Sequence, residues 1–191
     1  MGINNNPVPK EYKLHDLVTD IPKIEPSTLT NEEIMRLAEQ KAERLGYKPG
    51  EDLTELVKNI NGRIEYCNYD FDYENKISGA ISIATDKSFV VYIPKGTSFK
   101  RDRFTIAHEL GHYYLHANEG AIPSVFKREI ASDKMEYQAN YFAGAFLMPS
   151  ESFRDENSRL HGDDNKNIKL SIHFNVSDAA IAVRLKTLNL N

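Results

Sequence analysis

Apolar residues return at helical spacing after Thr30. Ile34, Leu37, Ala38 and Leu45 line one side before Gly46 stops the run. Thr30 followed three residues later by Glu33 has capping-box spacing and places a helix start there. Asp52 and Glu55 repeat the signal, with Leu53, Leu56, Val57 and Ile60 on one face up to Asn61-Gly62. The period then shortens. Segments 63–67, 77–84 and 88–93 are β-rich, and Thr85-Asp86-Lys87 reads as the hairpin loop joining the last two. Pro94 and Gly96 end the strands. Helical spacing resumes, predicting helices over 103–116 and 133–147, the second ending before Pro149, and a short one over 151–157. Two more are predicted over 168–174 and 178–188. Ser177 is the N-cap of the last, with Val176 and Ile181 as a hydrophobic staple.

Helices, a small sheet, then helices predict an α+β fold in which a mainly antiparallel three-stranded sheet packs on helices and a helical hairpin follows. Pro7, Pro9, Pro22 and Pro26 among asparagines and charges mark 1–29 as an N-terminal extension. The remainder divides into a main domain over 30–150 and a C-terminal helical subdomain over 151–191.

Composition narrows the function without defining it. A length of 191 residues, 40% of them apolar, fits an ordinary globular chain. The net charge of −4 gives no reason to expect nucleic-acid or membrane-surface binding. No run is apolar enough to span a bilayer, and the N-terminus has no secretory h-region. Cys67, the single cysteine, sits in a predicted strand as a small buried hydrophobe. It cannot form an internal disulfide, so a reducing cytoplasm is the expected location.

Candidate chemistry begins at His108-Glu109-Leu110-Gly111-His112, an H-E-x-x-H segment on a predicted helix. Imidazoles four residues apart lie one turn along the same face and can point at one ion. Glu109, beside that face, is placed to take a proton from water rather than to ligate. Gly111 costs about 1 kcal/mol relative to Ala in a helix interior, so a close neighbour is expected beside it. On the helix over 133–147, Glu136 shares a stripe with Ala139, Asn140, Ala143 and Leu147. A carboxylate on an apolar stripe is expensive unless paired or metal-bound. Glu136 therefore supplies the third protein ligand that catalytic zinc requires. Zn2+ suits two imidazoles and a carboxylate, with manganese or iron as alternatives. His116 is expected behind the ligands or at the surface. Asn140 either accepts a hydrogen bond from a ligand imidazole or packs against a neighbouring helix. Tyr113 and Tyr114 read as core or rim. His15, His161 and His173 have no partners recognisable in sequence.

The set His-Glu-Leu-Gly-His, then Glu136-Tyr-Gln-Ala139-Asn140-Tyr-Phe142-Ala143, then Leu147-Met148-Pro149, resembles the ImmA/IrrE family of zinc metallopeptidases. The likeness extends over roughly 32–190 and leaves the N-terminal extension outside. It implies a zincin-like metallopeptidase domain with His108, His112 and Glu136 as metal ligands and Glu109 as catalytic base. It also implies an endopeptidase whose partner or substrate is a helix-turn-helix repressor or antitoxin, in mobile-element, stress-response or toxin–antitoxin-like modules. The alternative is a non-proteolytic protein or toxin component that sequesters such a regulator. The last two helices could imitate a helix-turn-helix, but Arg184 and Lys186 are their only nearby basic pair, so a packing hairpin is the expected role. In the chemistry implied, Glu109 activates water at the metal and the substrate lies along a sheet edge, for which 88–93 is the candidate.

Overall fold

Short capping signals set most of the element boundaries in the computed structural model, which describes residues 24–67, 79–127 and 131–190. Helix α1 (Asn31–Arg44) opens on the predicted capping box: the Thr30 hydroxyl accepts from the Glu33 amide and the Glu33 carboxylate accepts from the Thr30 amide. It buries Ile34, Ala38 and Ala42. Helix α2 (Thr54–Asn59) follows without the second capping box. Leu53 holds the N-cap position with no side-chain bond, and Asp52 instead accepts from the amide and hydroxyl of Thr54 in an Asx turn. An Asp two residues ahead of an amide satisfies it locally, which the spacing alone mimics.

The sheet differs from expectation in strand number and direction. It has four strands, β1 (Gly62–Cys67), β2 (Ala80–Ile83), β3 (Phe89–Pro94) and β4 (Ser124–Lys127), in the order β1-β3-β2-β4. β2 and β3 form the predicted hairpin, and β4 adds antiparallel to β2. β1 pairs parallel with β3, so β3 lies in the interior and segment 88–93 is not an edge. Edges among the described residues belong to β1 and β4. Residues 77 and 78, at the start of the segment expected as the second strand, fall outside the described residues. Cys67 ends β1 half-buried, not enclosed as expected.

Helix α3 (Phe99–Leu115) packs on β2, β3 and, most extensively, α4 (Asp133–Leu147). It starts a turn before the predicted position because the Ser98 hydroxyl caps the Arg101 amide. α4 has its predicted bounds, with Ser132 as N-cap. Helices α5 (Ser150–Arg159), α6 (Lys166–His173) and α7 (Asp178–Thr187) follow. Two buried arginines tie these to the rest. Arg103 donates to the carbonyls of Glu51, Phe174 and Asn175 and to the Tyr47 hydroxyl. Arg184, 2% exposed, donates to the Met148 carbonyl, Glu39 and Ser150, so its charge is engaged inside the fold and not offered to phosphate. No helix among the described residues is long and apolar enough to cross a membrane.

Candidate metal centre

The close crossing of α3 and α4 depends on Gly111. A Cβ there would stand 3.0 Å from the Ala139 Cα and 3.1 Å from its carbonyl oxygen, closer than side chains ordinarily approach. With only hydrogen at that position, the helix backbones come near enough for Glu136, in the first turn of α4, to reach the face carrying His108 and His112. All three sit on rigid helices, and both histidines are buried.

Their donor atoms converge. His108 Nε2 and His112 Nε2 are 3.1 Å apart, and the Glu136 oxygens lie 3.4 Å from the first and 3.3 Å from the second. Ligands at about 2.0–2.1 Å from a tetrahedral zinc ion stand about 3.3 Å from one another. The triangle therefore has the size such an ion requires, with two soft-to-borderline nitrogens and one oxygen as donors.

Hydrogen bonds behind the rings fix which nitrogens carry lone pairs. Asn140 Oδ1 lies 3.0 Å from His108 Nδ1, which as the donor leaves Nε2 free to coordinate. A longer chain serves His112. The Ser27 amide donates to Gln138 Oε1 at 3.0 Å, and Gln138 Nε2 donates to the Ser27 carbonyl at 2.8 Å, which orients the amide. His116 Nε2 then donates to the same Oε1 at 3.1 Å. Burial holds the His116 pKa below its ordinary value, so the ring is neutral and its Nδ1 accepts. His112 Nδ1, 3.0 Å away, is the donor, and its Nε2 presents a lone pair to the site. Phe126 of β4 stacks on His112 with ring centroids 4.8 Å apart.

Glu109, next to His108 on α3, is 3% exposed and interacts electrostatically with His108 and Glu136. Its Oε2 is a buried side-chain oxygen with no hydrogen-bond partner among the described residues. Burial raises its pKa from 4.5 to about 8, with His108 opposing and Glu136 adding to the rise. Burial also lowers His112, to about 4, against the opposing contact with Glu136. For Glu136 burial acts upward, but its contacts with His108 and His112 outweigh it and hold the carboxylate well below its usual range. A carboxylate that stays ionised between two imidazoles, beside one that resists ionisation, suits a divalent cation and a proton acceptor.

The structure thus brings His108, His112, Glu136, Glu109, His116 and Asn140 together. Sequence reasoning missed three contributors. Gln138 looks like any polar residue on α4, and only its burial reveals it. Phe126 lies on the strand that was not predicted. Gly79 (φ +149°) brings backbone over the site, where a Cβ would meet the Thr105 side chain and stand 3.0 Å from Glu109 Oε1. A glycine inside the predicted 77–84 strand was the available signal for that close approach.

The fold holds a His-His-Glu cluster that could bind a metal ion, and comparison with known proteins shows the family. Residues 71–186 match the family described as the IrrE N-terminal-like domain, and the chain belongs to this ImmA/IrrE family of metallopeptidases. It is similar to the protein named metallopeptidase ImmA of Bacillus subtilis (strain 168), 30% identical over 93 residues, which cover 49% of this chain and 52% of that protein. The match therefore spans about half the length of that curated relative. A solved structure of a Mycobacterium tuberculosis transcriptional regulator has the same fold, with a TM-score of 0.56 at 19% identity over 81% of this chain and 46% of that one.

Proposed function

We propose that this protein is a zinc-dependent endopeptidase, acting in the cytoplasm, that cuts a helix-turn-helix repressor or antitoxin and so relieves repression. Residues 30–150 would form the peptidase unit and 151–191 a helical subdomain. The observation that carries this reading is the triangle of donors at zinc-sized separations with an orphaned carboxylate oxygen beside it. His108, His112 and Glu136 would hold the ion, and Asn140 and His116 would keep the rings turned toward it. The chemistry available with the ion bound is Lewis acidity, which acidifies water and polarises a carbonyl. Glu109 takes the proton from the attacking water and returns it to the leaving amine. Its burial makes the ionised form a strong acceptor.

The substrate backbone lies along β4 in this reading. That strand pairs on one side with β2, and its Phe126 packs against His112, so an added strand there passes the cleft. The regulatory substrate draws support from the family and from the transcriptional regulator that shares the fold.

The test pairs two variants with a helix-turn-helix protein encoded beside this chain. Glu109→Gln is expected to retain zinc, measured by elemental analysis, and to lose nearly all cleavage. His112→Ala is expected to lose both. Wild-type cleavage by Glu109→Gln would remove the general-base assignment. Tight binding of the partner with no cut by the zinc-loaded wild-type chain would replace proteolysis with capture.

A further inference from the structure

Gly144 stands near the end of α4, inside the helix, where glycine is about 1 kcal/mol less favourable than alanine. Neither usual reason for a glycine applies. Its φ is not positive, and a Cβ built there meets nothing within 4 Å, in contrast to Gly111 on α3. What the missing side chain does is open the floor of an apolar groove of about 470 Å³ between α4 and α7, walled by Tyr141, Met148, Ala180 and Val183. Val183 is 66% exposed at its rim.

The groove is continuous with the metal cleft. Phe104, Tyr137 and Asn140 line both, and the cleft also contains His108 and Glu136. From Tyr137 to Met148 the groove follows α4 for about 16 Å at 1.5 Å per residue. An extended peptide covers that length in about five residues. A chain with its scissile bond at the metal therefore lays its next few side chains along this wall. The wall is mostly apolar, with Asn140, Ser177 and Thr187 among its polar members, and the Arg184 charge is consumed by internal bonds.

Resting on the peptidase reading above, we propose that the α4–α7 groove is the specificity site of the cleft. It takes large aliphatic or aromatic side chains of the polypeptide substrate within about five residues, on one side, of the bond that is cut. Gly144 is what leaves room for them.

Gly144→Leu fills the groove with a residue that favours the helix, so the variant is expected to melt no lower than wild type. The zinc-loaded full chain and this variant are profiled on a mixed peptide library by mass spectrometry. Wild type is expected to enrich Leu, Ile, Phe or Met at one fixed position near the cut. The variant is expected to lose that enrichment, with kcat/KM for the best peptide falling about tenfold or more through KM, the scale of one buried Leu side chain. Val183→Asp is expected to act in the same direction. Unchanged selectivity and KM in Gly144→Leu would overturn the assignment. If the wild-type chain cuts no library peptide, the peptidase reading is what fails, and the groove is judged by binding alone. A Leu-rich peptide titrated onto the zinc-loaded chain should then shift the Met148 and Val183 methyl resonances, and not in the Gly144→Leu background. Absence of those shifts, or a concentration-dependent dimer abolished by Gly144→Leu, would also overturn it.

Discussion

Replacing Gly111 by Ala sets two effects of known size against each other. Helix propensity favours the alanine by about 1 kcal/mol. Against it, the new methyl would stand 3.0 Å from the Ala139 Cα, 3.1 Å from its carbonyl oxygen and 3.3 Å from its Cβ, and the first two are backbone atoms of a buried helix that cannot rotate away. Overpacking of this kind costs about 1–3 kcal/mol. The net expectation is a loss of about 1 kcal/mol, seen as a fall of about 2–4 °C in Tm for a chain of this size. The same displacement moves α4 outward by a few tenths of an ångström. Glu136 rides on that helix three residues before Ala139, and metal–ligand distances tolerate only about 0.2 Å. The rise in Tm that zinc produces should therefore shrink in Gly111→Ala, because stabilisation by a ligand scales with its affinity. Thermal unfolding followed by circular dichroism, with chelator and then with zinc, measures both quantities. Gly144→Ala is the control: with nothing within 4 Å of its Cβ, it should gain about 1 kcal/mol and leave the zinc increment intact. A Gly111→Ala chain as stable as that control, or one with the full wild-type zinc increment, would refute the claim that backbone contact at this crossing positions the carboxylate.

Further outcomes follow from the surrounding contacts. Gln138→Leu removes the acceptor that orients His116, and zinc affinity measured by chelator competition should fall about 10–100-fold with the fold intact. In the metal-free chain Glu109 binds its proton more tightly folded than unfolded, since its pKa is raised to about 8. Its stabilising contribution is thus complete below about pH 4.5 and lost as pH rises through about 8, so the advantage of Glu109→Gln over wild type in urea unfolding should grow across that window. Arg103→Met leaves the Glu51, Phe174 and Asn175 carbonyls without their donor and should lower unfolding free energy by about 2–4 kcal/mol in the same assay.

The parts of this fold that were legible in sequence are those governed by local chemistry. Thr30 with Glu33 sets the start of α1, and Pro149 the end of α4, because caps and proline act within one turn. The carboxylate on α4 was legible for a different reason: Glu136 puts a charge on a mostly apolar stripe, and the cost of burying it makes that informative. What sequence withheld depends on distant partners. Ser124–Lys127 is too short to show a period, and it becomes a strand only because β2 offers it an edge. Parallel pairing of β1 with β3 is invisible when the intervening strand is the obvious hairpin partner. Asp52 failed as a cap predictor because the same spacing also serves an Asx turn. Gln138 acquires its place from Ser27, 111 residues away in sequence.

That last link gives the molecule a remote reporter. The Ser27 amide gives its hydrogen to Gln138, whose oxygen also receives the bond that sets the His116 ring behind His112. Deuterium uptake at this one backbone position, ahead of the first helix, should slow when the distant imidazoles are locked. A tag or fusion joined ahead of Ser27 that strains the segment would be felt at the same place.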